Sequence, residues 1–457
     1  MGFSYVLTKG EIRKKVLDLS GPALAEIFLA TLIHMVDMIM VGRVGPEALT
    51  AVGLSNQLVA FTLAIFVALN IGTTAVVARS IGGGNPRLAN DVARQSLVIN
   101  FSLGLIVSAL GYYFSGDLLR LMGASEEVLT GGGLLYAKVV FGGTIFMNIS
   151  MGLMAGLRGA GDTRTPMNIN IIANIVNLCG NYVLIYGKFG FPRLGVYGAG
   201  ISTTISRAVA SLLVLYVVYH GSKVLKFSLK DNYLPDVKLM EQIIDLGLPA
   251  ALEQLVFKSG MLSFARVVSS LGTTVFAAHQ IAMNVLSLLF IPSQAFSIAA
   301  TTLVGQRLGA GEPKVAEECG VETQRLGVII SSAIAVACFF LGPRIIGLYT
   351  PDKDVIALGA MALKIVAIVQ PAQATQFILA GALRGAGDTK WPLYASVFGI
   401  WGGRVFLGYL FTQVLHFGLL GAWVAIAIDQ CIRAIVIFQR FSAGRWKALQ
   451  RGVCLYL

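Results

Sequence analysis

One carboxylate in this chain sits where a carboxylate is expensive. Asp37 lies in Ile33-His34-Met35-Val36-Asp37-Met38-Ile39-Met40, well inside the first long apolar stretch. An ionisable side chain deep in a membrane helix costs at least about 2.5–3.5 kcal/mol, so it marks a functional site by default. Desolvation disfavours the charged form of a carboxyl, so a group placed between helices can hold or release a proton near neutral pH. When ionised it also attracts a lipophilic cation. One site then binds a proton or a cation, but not both comfortably, and that competition is the minimal machinery of an antiporter.

Other polar residues are spaced to join it. Asn174, Asn177 and Asn181 fall on one face of a later helix at i, i+3 and i+7. Three amides on an apolar helix are costly unless paired. They read equally as glue between helices and as a network that faces Asp37 and tunes it. Thr203 and Thr204 are weaker members, since hydroxyls often bond their own helix carbonyls, and Gln57 is a further recruit from the second span. His34, Met35 and Met38 flank the acid as candidate cavity residues. Methionine is flexible and polarizable and suits promiscuous apolar ligands, although packing or lipid contact is its commoner use.

The remaining in-membrane charges read as structural. Glu26 and Glu253 occur at matching places near the starts of two spans, which favours a helix-terminus or packing role. Asp429 and Arg433 stand four apart on the last span and neutralise each other. Lys258, Arg207, Arg404 and His279 have no evident partner in sequence, and nothing ranks them as cavity residues.

The elements that must position these residues are membrane helices. Of 457 residues 56% are hydrophobic and 13% charged, about half the charged share of a soluble domain, so the chain is expected to be an integral membrane protein. The apolar stretches reach about 20 residues, enough to cross roughly 30 Å of hydrocarbon; the short alternating segments of a β-barrel are absent. The expected spans are 16–41, 52–78, 95–115, 133–156, 166–187, 196–219, 242–265, 274–304, 324–347, 356–382, 392–415 and 418–439. The first is too long, and lacks the small-residue cleavage site, for a removable signal peptide. An even number puts both termini on one side, and the positive-inside rule places that side in the cytoplasm. Lys9, Arg13, Lys14 and Lys15, with Lys223, Lys226, Lys230 and Lys238, supply much of the bias and of the net charge of +12. Basic residues spread over short loops argue against nucleic acid. Five cysteines (Cys179, Cys319, Cys338, Cys431, Cys454) without a C-x-x-C pair, and four histidines without ligand spacing, argue against a metal centre or any cofactor.

The chain is also written twice. Leu-Arg-Gly-Ala-Gly-Asp-Thr-Arg at 157–164 returns as Leu-Arg-Gly-Ala-Gly-Asp-Thr-Lys at 383–390, followed at the same distance by Pro166 and Pro392. Ile81-Gly82-Gly83-Gly84-Asn85-Pro86 matches Leu308-Gly309-Ala310-Gly311-Glu312-Pro313. In each octapeptide copy glycine ends one helix and proline tolerates the start of the next, so both read as cytoplasmic hairpins whose Arg and Asp fix geometry. Six spans per half make an all-α protein of two pseudo-symmetric six-helix lobes, 1–220 and 242–457, joined by a charged linker over 221–241. Such parallel repeats are related by an axis along the membrane normal and enclose a cavity. Asp37 has no counterpart: the matching position is near Phe264. A structural role common to both halves predicts two copies, so the asymmetry favours function. Pro292 and Pro371, inside spans, are likewise unmatched, and each removes a backbone hydrogen bond.

With these motifs in hand the chain resembles the multidrug and toxic compound extrusion (MATE) transporters over essentially its full length. The resemblance rests on Val36-Asp37-Met38-Ile39-Met40-Val41-Gly42, on the paired Leu-Arg-Gly-x-Gly-Asp-Thr hairpins and on Ala277-Ala278-His279-Gln280-Ile281. It implies a multi-pass inner-membrane protein that is no enzyme. Such a protein works as a monomer, exporting lipophilic cationic compounds by alternating access, coupled to protons or sodium. Within the family the chain is most similar to the DinF-like branch, in which the acid at Asp37 carries coupling. Related members pair that acid with an aspartate where this chain has Asn181. Sodium-driven members use acidic residues where this chain has Phe257 and Gln373, which favours protons. The main rival is a flippase for lipids or lipid-linked precursors, whose anionic cargo calls for Arg or Lys in the cavity.

Overall fold

The computed structural model describes residues 8–221, 224–228 and 230–449; Lys223 of the linker and Cys454 fall outside them. All regular structure among these residues is helical. Ten helices are long and apolar enough to cross a membrane: α1 (Lys9–Gly42), α2 (Pro46–Gly82), α3 (Pro86–Tyr113), α4 (Glu126–Gly159), α5 (Arg164–Tyr186), α6 (Gly195–His220), α8 (Thr273–Gly309), α9 (Pro313–Gly347), α10 (Lys353–Gly385) and α12 (Gly418–Ser442). Two more complete the twelve expected crossings. They are α7 (Val237–Ser269), whose apolar run is interrupted by Glu253, Lys258 and Arg266, and α11 (390–414), in which widened i→i+5 turns replace α-helical ones over Val397–Phe406 and Leu410–Val414.

The chain forms two compact units. One holds residues up to 24, 82–84 and 246–457; the other holds 25–81 and 85–245. In contact terms the lobe expected over 1–220 therefore gives up the start of α1. Ile12, Val16 and Leu19 belong to an apolar cluster with Phe296, Ile378 and Phe441, and Arg13 pairs with the buried Glu322. The second unit centres on Val59, Tyr136, Val140, Phe141 and Ile185. It also takes the linker: Gln95 of α3 donates to the Leu234 carbonyl at 2.9 Å and accepts from the Asp236 amide at 3.0 Å.

The two units repeat one set of joints. In the octapeptide turns, Gly161 and Gly387 take φ of +93° and +75°, a conformation that favours glycine. The Asp162 amide donates to Leu157 at 2.9 Å and the Asp388 amide to Leu383 at 2.8 Å, closing α4 and α10 in the same way. Just before each turn a glycine lets helices meet: a Cβ on Gly159 would stand 2.6 Å from the Thr74 carbonyl oxygen, and one on Gly385 2.2 Å from that of Thr301. The same threonines bond across the crossing, Thr74 to the Ala155 carbonyl at 3.0 Å and Thr301 to that of Gly381 at 2.9 Å.

The charged residues near the span starts join this scheme. Glu26 accepts from Arg158, and from Asn170 at 2.6 Å. Glu253 accepts from Arg384 at 2.7 Å and from Ser396 at 3.4 Å. Each octapeptide arginine thus grips the glutamate of its own unit. Asp388 binds Arg440 at 2.7 Å, whereas Asp162 accepts from the Thr165 amide at 2.9 Å to start α5. Cys179, Cys319, Cys338 and Cys431 are free thiols.

Candidate functional site

The site is built where α1 lies beside α5 with α4 and α6 around them. Three polar contacts fix α1 on α5 in one parallel register: Glu26 with Asn170, Asp37 with Asn181, and the Met40 carbonyl with the Tyr186 hydroxyl at 3.1 Å. Asn181 Nδ2 donates to Asp37 Oδ1 at 2.7 Å. The Asn177 amide nitrogen donates to the same carboxylate, 2.9 Å from Oδ2 and 3.1 Å from Oδ1. Its other end lies 3.4 Å from Thr203 Oγ1, whose hydroxyl donates to it. Asp37 therefore rests on two amides and, among the described residues, has no lysine or arginine in salt-bridge contact.

The acid opens onto a cavity of about 400 Å³ within this unit. Asn174, Thr203 and His34 line it, with His34 one helical turn before Asp37. Four residues considered with them do not. Thr204 donates to the Val139 carbonyl of α4 at 3.0 Å, so it ties α6 to α4 instead of joining the amide network. Gln57 is exposed on α2. Met38 packs into the apolar cluster of the unit, and Met35 is 43% exposed. Both face away because helix geometry turns residues at i−2 and i+1 off the face of Asp37.

The methionine wall comes from elsewhere. Met147, Met151 and Met154, a run at helical spacing on α4, line the cavity, as does Asn170. Asn170 extends the amide row by one turn, a signal already present in its i−4 spacing from Asn174. The methionines carried no such signal, since a stripe of Met on a span reads as packing.

The unranked basic residues separate cleanly. Arg207 lines the cavity. Arg404 lies in the other unit and binds Asp429 at 2.7 Å, while Arg433 binds the same carboxylate at 2.7 Å. The expected Asp429–Arg433 pair is thus a triad. Gly399 and Gly403 make room for it, since a Cβ at Gly399 would lie 2.4 Å from Arg433 Cγ. Lys258 is exposed, and His279 is buried among Phe264, Phe276 and Trp423.

Comparison with known proteins converges. The MatE family model matches residues 22–183 and again 249–410, so both halves carry it. A probable multidrug resistance protein NorM of Thermotoga maritima is 32% identical, covering 96% of this chain and 94% of its own. The multidrug resistance protein PmpM of Pseudomonas aeruginosa is 30% identical, over 94% and 91%. Among solved structures, a multidrug resistance MATE family transporter of the MOP superfamily in an outward-facing conformation superposes with a TM-score of 0.89 at 25% identity, covering 96% of this chain and 97% of that one. A MOP superfamily transporter from Pyrococcus furiosus, described as having a binding pocket of reverse polarity, gives 0.87 at 25% identity, over 96% of each chain. With twelve helices in two repeated units and the family matched in each, the chain belongs to the MATE family of membrane transporters.

Proposed function

We propose that this protein is a proton-coupled exporter of lipophilic cationic compounds, with Asp37 as the group that carries the proton and meets the cation. The observation that carries the reading is a carboxylate on the wall of a drug-sized cavity, held by two amides and, among the described residues, by no cation. Cavities of this size suit small molecules, and the thioethers of Met147, Met151 and Met154 offer them an adaptable apolar wall.

The amides suit a group that changes charge. An ionised Asp37 accepts two N–H bonds. A protonated one needs an acceptor, and Asn181 Oδ1, which has no partner, presents one on rotation of the amide. The site is thus satisfied both with a proton and with a cation in its place. Proton entry from outside then releases the cation outward, and proton release to the inside readies the cavity for the next.

The same reading places the protein in the plasma membrane as a monomer with cytoplasmic termini, the basic linker on the inner side. Asp37 as an acid free of an arginine or lysine partner among the described residues, with Phe257 and Gln373 in the other half, supports DinF-like proton coupling over sodium.

The test is rhodamine or ethidium uptake in proteoliposomes under an imposed pH gradient. Native protein and Asp37→Asn are compared, with and without sodium. Proton-driven uptake that vanishes in the variant is the expected result. Unchanged uptake by Asp37→Asn would move the coupling group elsewhere. A sodium requirement would favour a sodium-coupled exporter, and failure to move any cation would favour a lipid flippase.

A further inference from the structure

The unit that contains α8 to α12 buries an unbalanced charge. Arg404 of α11 donates to Asp429 through Nε at 2.9 Å, and Arg433 of α12 donates to it through Nε at 2.7 Å and Nη2 at 2.9 Å. All three side chains are almost wholly buried. Among the described residues no second acid is in salt-bridge contact with either arginine. Two guanidiniums on one carboxylate leave an excess of one positive charge, which is costly in a core unless something neutralises it. That excess reaches a small cavity through one side chain. Gln430 accepts from Arg433 Nη2 at 3.2 Å and lines a cavity of about 10 Å³ among residues of α8, α10 and α12. Such a volume has room for a single small occupant. Two other lining residues, Gln373 and Trp423, each carry a buried N–H, Nε2 and Nε1, with no acceptor among the described residues. Native cores rarely leave a buried donor unused, and an indole nitrogen can only donate. The rest of the wall is aliphatic, Leu286, Val369 and Ile426 among it.

We propose that this cavity binds one small monovalent anion of the halide class, chloride in the cell, held by Gln373 and Trp423 and by the field of the Arg404–Asp429–Arg433 triad. A halide only accepts hydrogen bonds, so it uses both N–H groups and asks for no acceptor in return. A water molecule would take the same two donors, but it brings two hydrogens of its own to an otherwise aliphatic wall and leaves the charge unbalanced. A phosphate or a carboxylate is too large for the space. With the anion in place the triad and its ligand are neutral as a set, and the low dielectric of the surroundings strengthens that attraction. The site lies in the other unit from Asp37, and the inference stands whatever the larger cavity carries.

The test uses the purified full chain in detergent, with sodium chloride, sodium bromide and sodium gluconate compared at equal ionic strength. The thermal midpoint, read by loss of monodispersity, is expected to rise with chloride or bromide and to saturate, as it does for a ligand that binds the folded state alone. Gluconate, too large for the cavity, should leave it unchanged. Gln373→Leu and Trp423→Phe each remove one donor and keep the wall apolar. Either is expected to weaken the apparent halide affinity by roughly ten- to a hundredfold, the weight of a hydrogen bond to a charged group. Arg404→Met balances the triad without an anion and should lose most of the halide dependence. In crystals of the native chain grown in bromide, an anomalous peak is expected within hydrogen-bond distance of Gln373 Nε2 and Trp423 Nε1. Equal midpoints in chloride and gluconate, or a bromide map without a peak in the cavity, would mean that water alone fills it and would overturn the assignment. Halide affinity within about twofold of native in a monodisperse Gln373→Leu or Trp423→Phe would place the ion elsewhere and overturn it too. Should neither variant fold, the bromide map of the native chain decides alone.

Discussion

Asp37 and Asn181 stand on different helices, 144 positions apart in sequence, and are joined by a 2.7 Å hydrogen bond in which the amide donates to the carboxylate. Bonds to a charged acceptor contribute about 1.5–3 kcal/mol. Asn181→Ala removes this one and leaves Asn177 as the remaining amide donor. Proton-driven dye uptake is expected to fall by about tenfold or more while the protein still elutes as a single species. Uptake at the native rate would show that the bond holds α1 to α5 and takes no part in coupling.

The buried triad of the other unit makes a prediction about order. Asp429 lies between Arg404 and Arg433. Asp429→Asn strands two guanidiniums at once, and breaking a buried pair costs about 3–5 kcal/mol. Arg404→Met leaves a balanced Arg433–Asp429 pair and should be much milder. Thermal unfolding in detergent, followed by loss of monodispersity, is expected to rank native above Arg404→Met and that variant well above Asp429→Asn. The opposite order would mean that Arg404, and not the carboxylate, anchors the triad.

The two glycine crossings should fail in the same direction. At Gly159 and Gly385 a Cβ meets a backbone carbonyl oxygen at 2.6 Å and 2.2 Å. Backbone cannot rotate away as a side chain can. Overpacking of this kind costs typically about 1–3 kcal/mol, so Gly159→Ala and Gly385→Ala should each lower the thermal midpoint, with Gly385→Ala the worse. Two fully native midpoints would show that α2 on α4, and α8 on α10, part without cost.

A fourth expectation concerns Glu253. Glu253→Gln removes the charge that Arg384 binds with both carboxylate oxygens at 2.7 Å. Destabilisation is expected to be relieved in part by the double change with Arg384→Met, since that removes the stranded cation as well. A double-mutant cycle without coupling energy would discount the pair.

Much of this was legible in the sequence, and the reasons are physical. A helix in hydrocarbon must be apolar for about 20 residues, so spans announce themselves; α7, with charges inside its apolar run, and α11, with widened turns, obey that rule least well. A duplicated octapeptide needs no structure to be seen. Helical spacing put Asn174, Asn177 and Asn181 on one face, and left open whether that face serves as interhelical glue or meets Asp37. What spacing hides is rotation about the helix axis relative to neighbours, which tertiary packing sets. Hence Met35 and Met38 turned out of the cavity, and Met147, Met151 and Met154 turned in. Arg207 and Arg404 look alike in sequence, yet among the described residues Arg404 alone of the two has an acid in salt-bridge contact. Thr204 found the nearest free carbonyl, as hydroxyls in helices do.

The pairing of Glu26 with Arg158 has a consequence outside its own unit. The same joint exists a second time as Glu253 with Arg384, down to a polar third partner at Asn170 and Ser396. Only the first copy borders the cavity. The molecule therefore contains its own reference experiment. A lesion at Glu253 reports what the joint does for the integrity of the fold. The same lesion at Glu26 reports that plus whatever a charge on the cavity rim does for passage of cargo. The difference between the two isolates the second quantity without recourse to another protein.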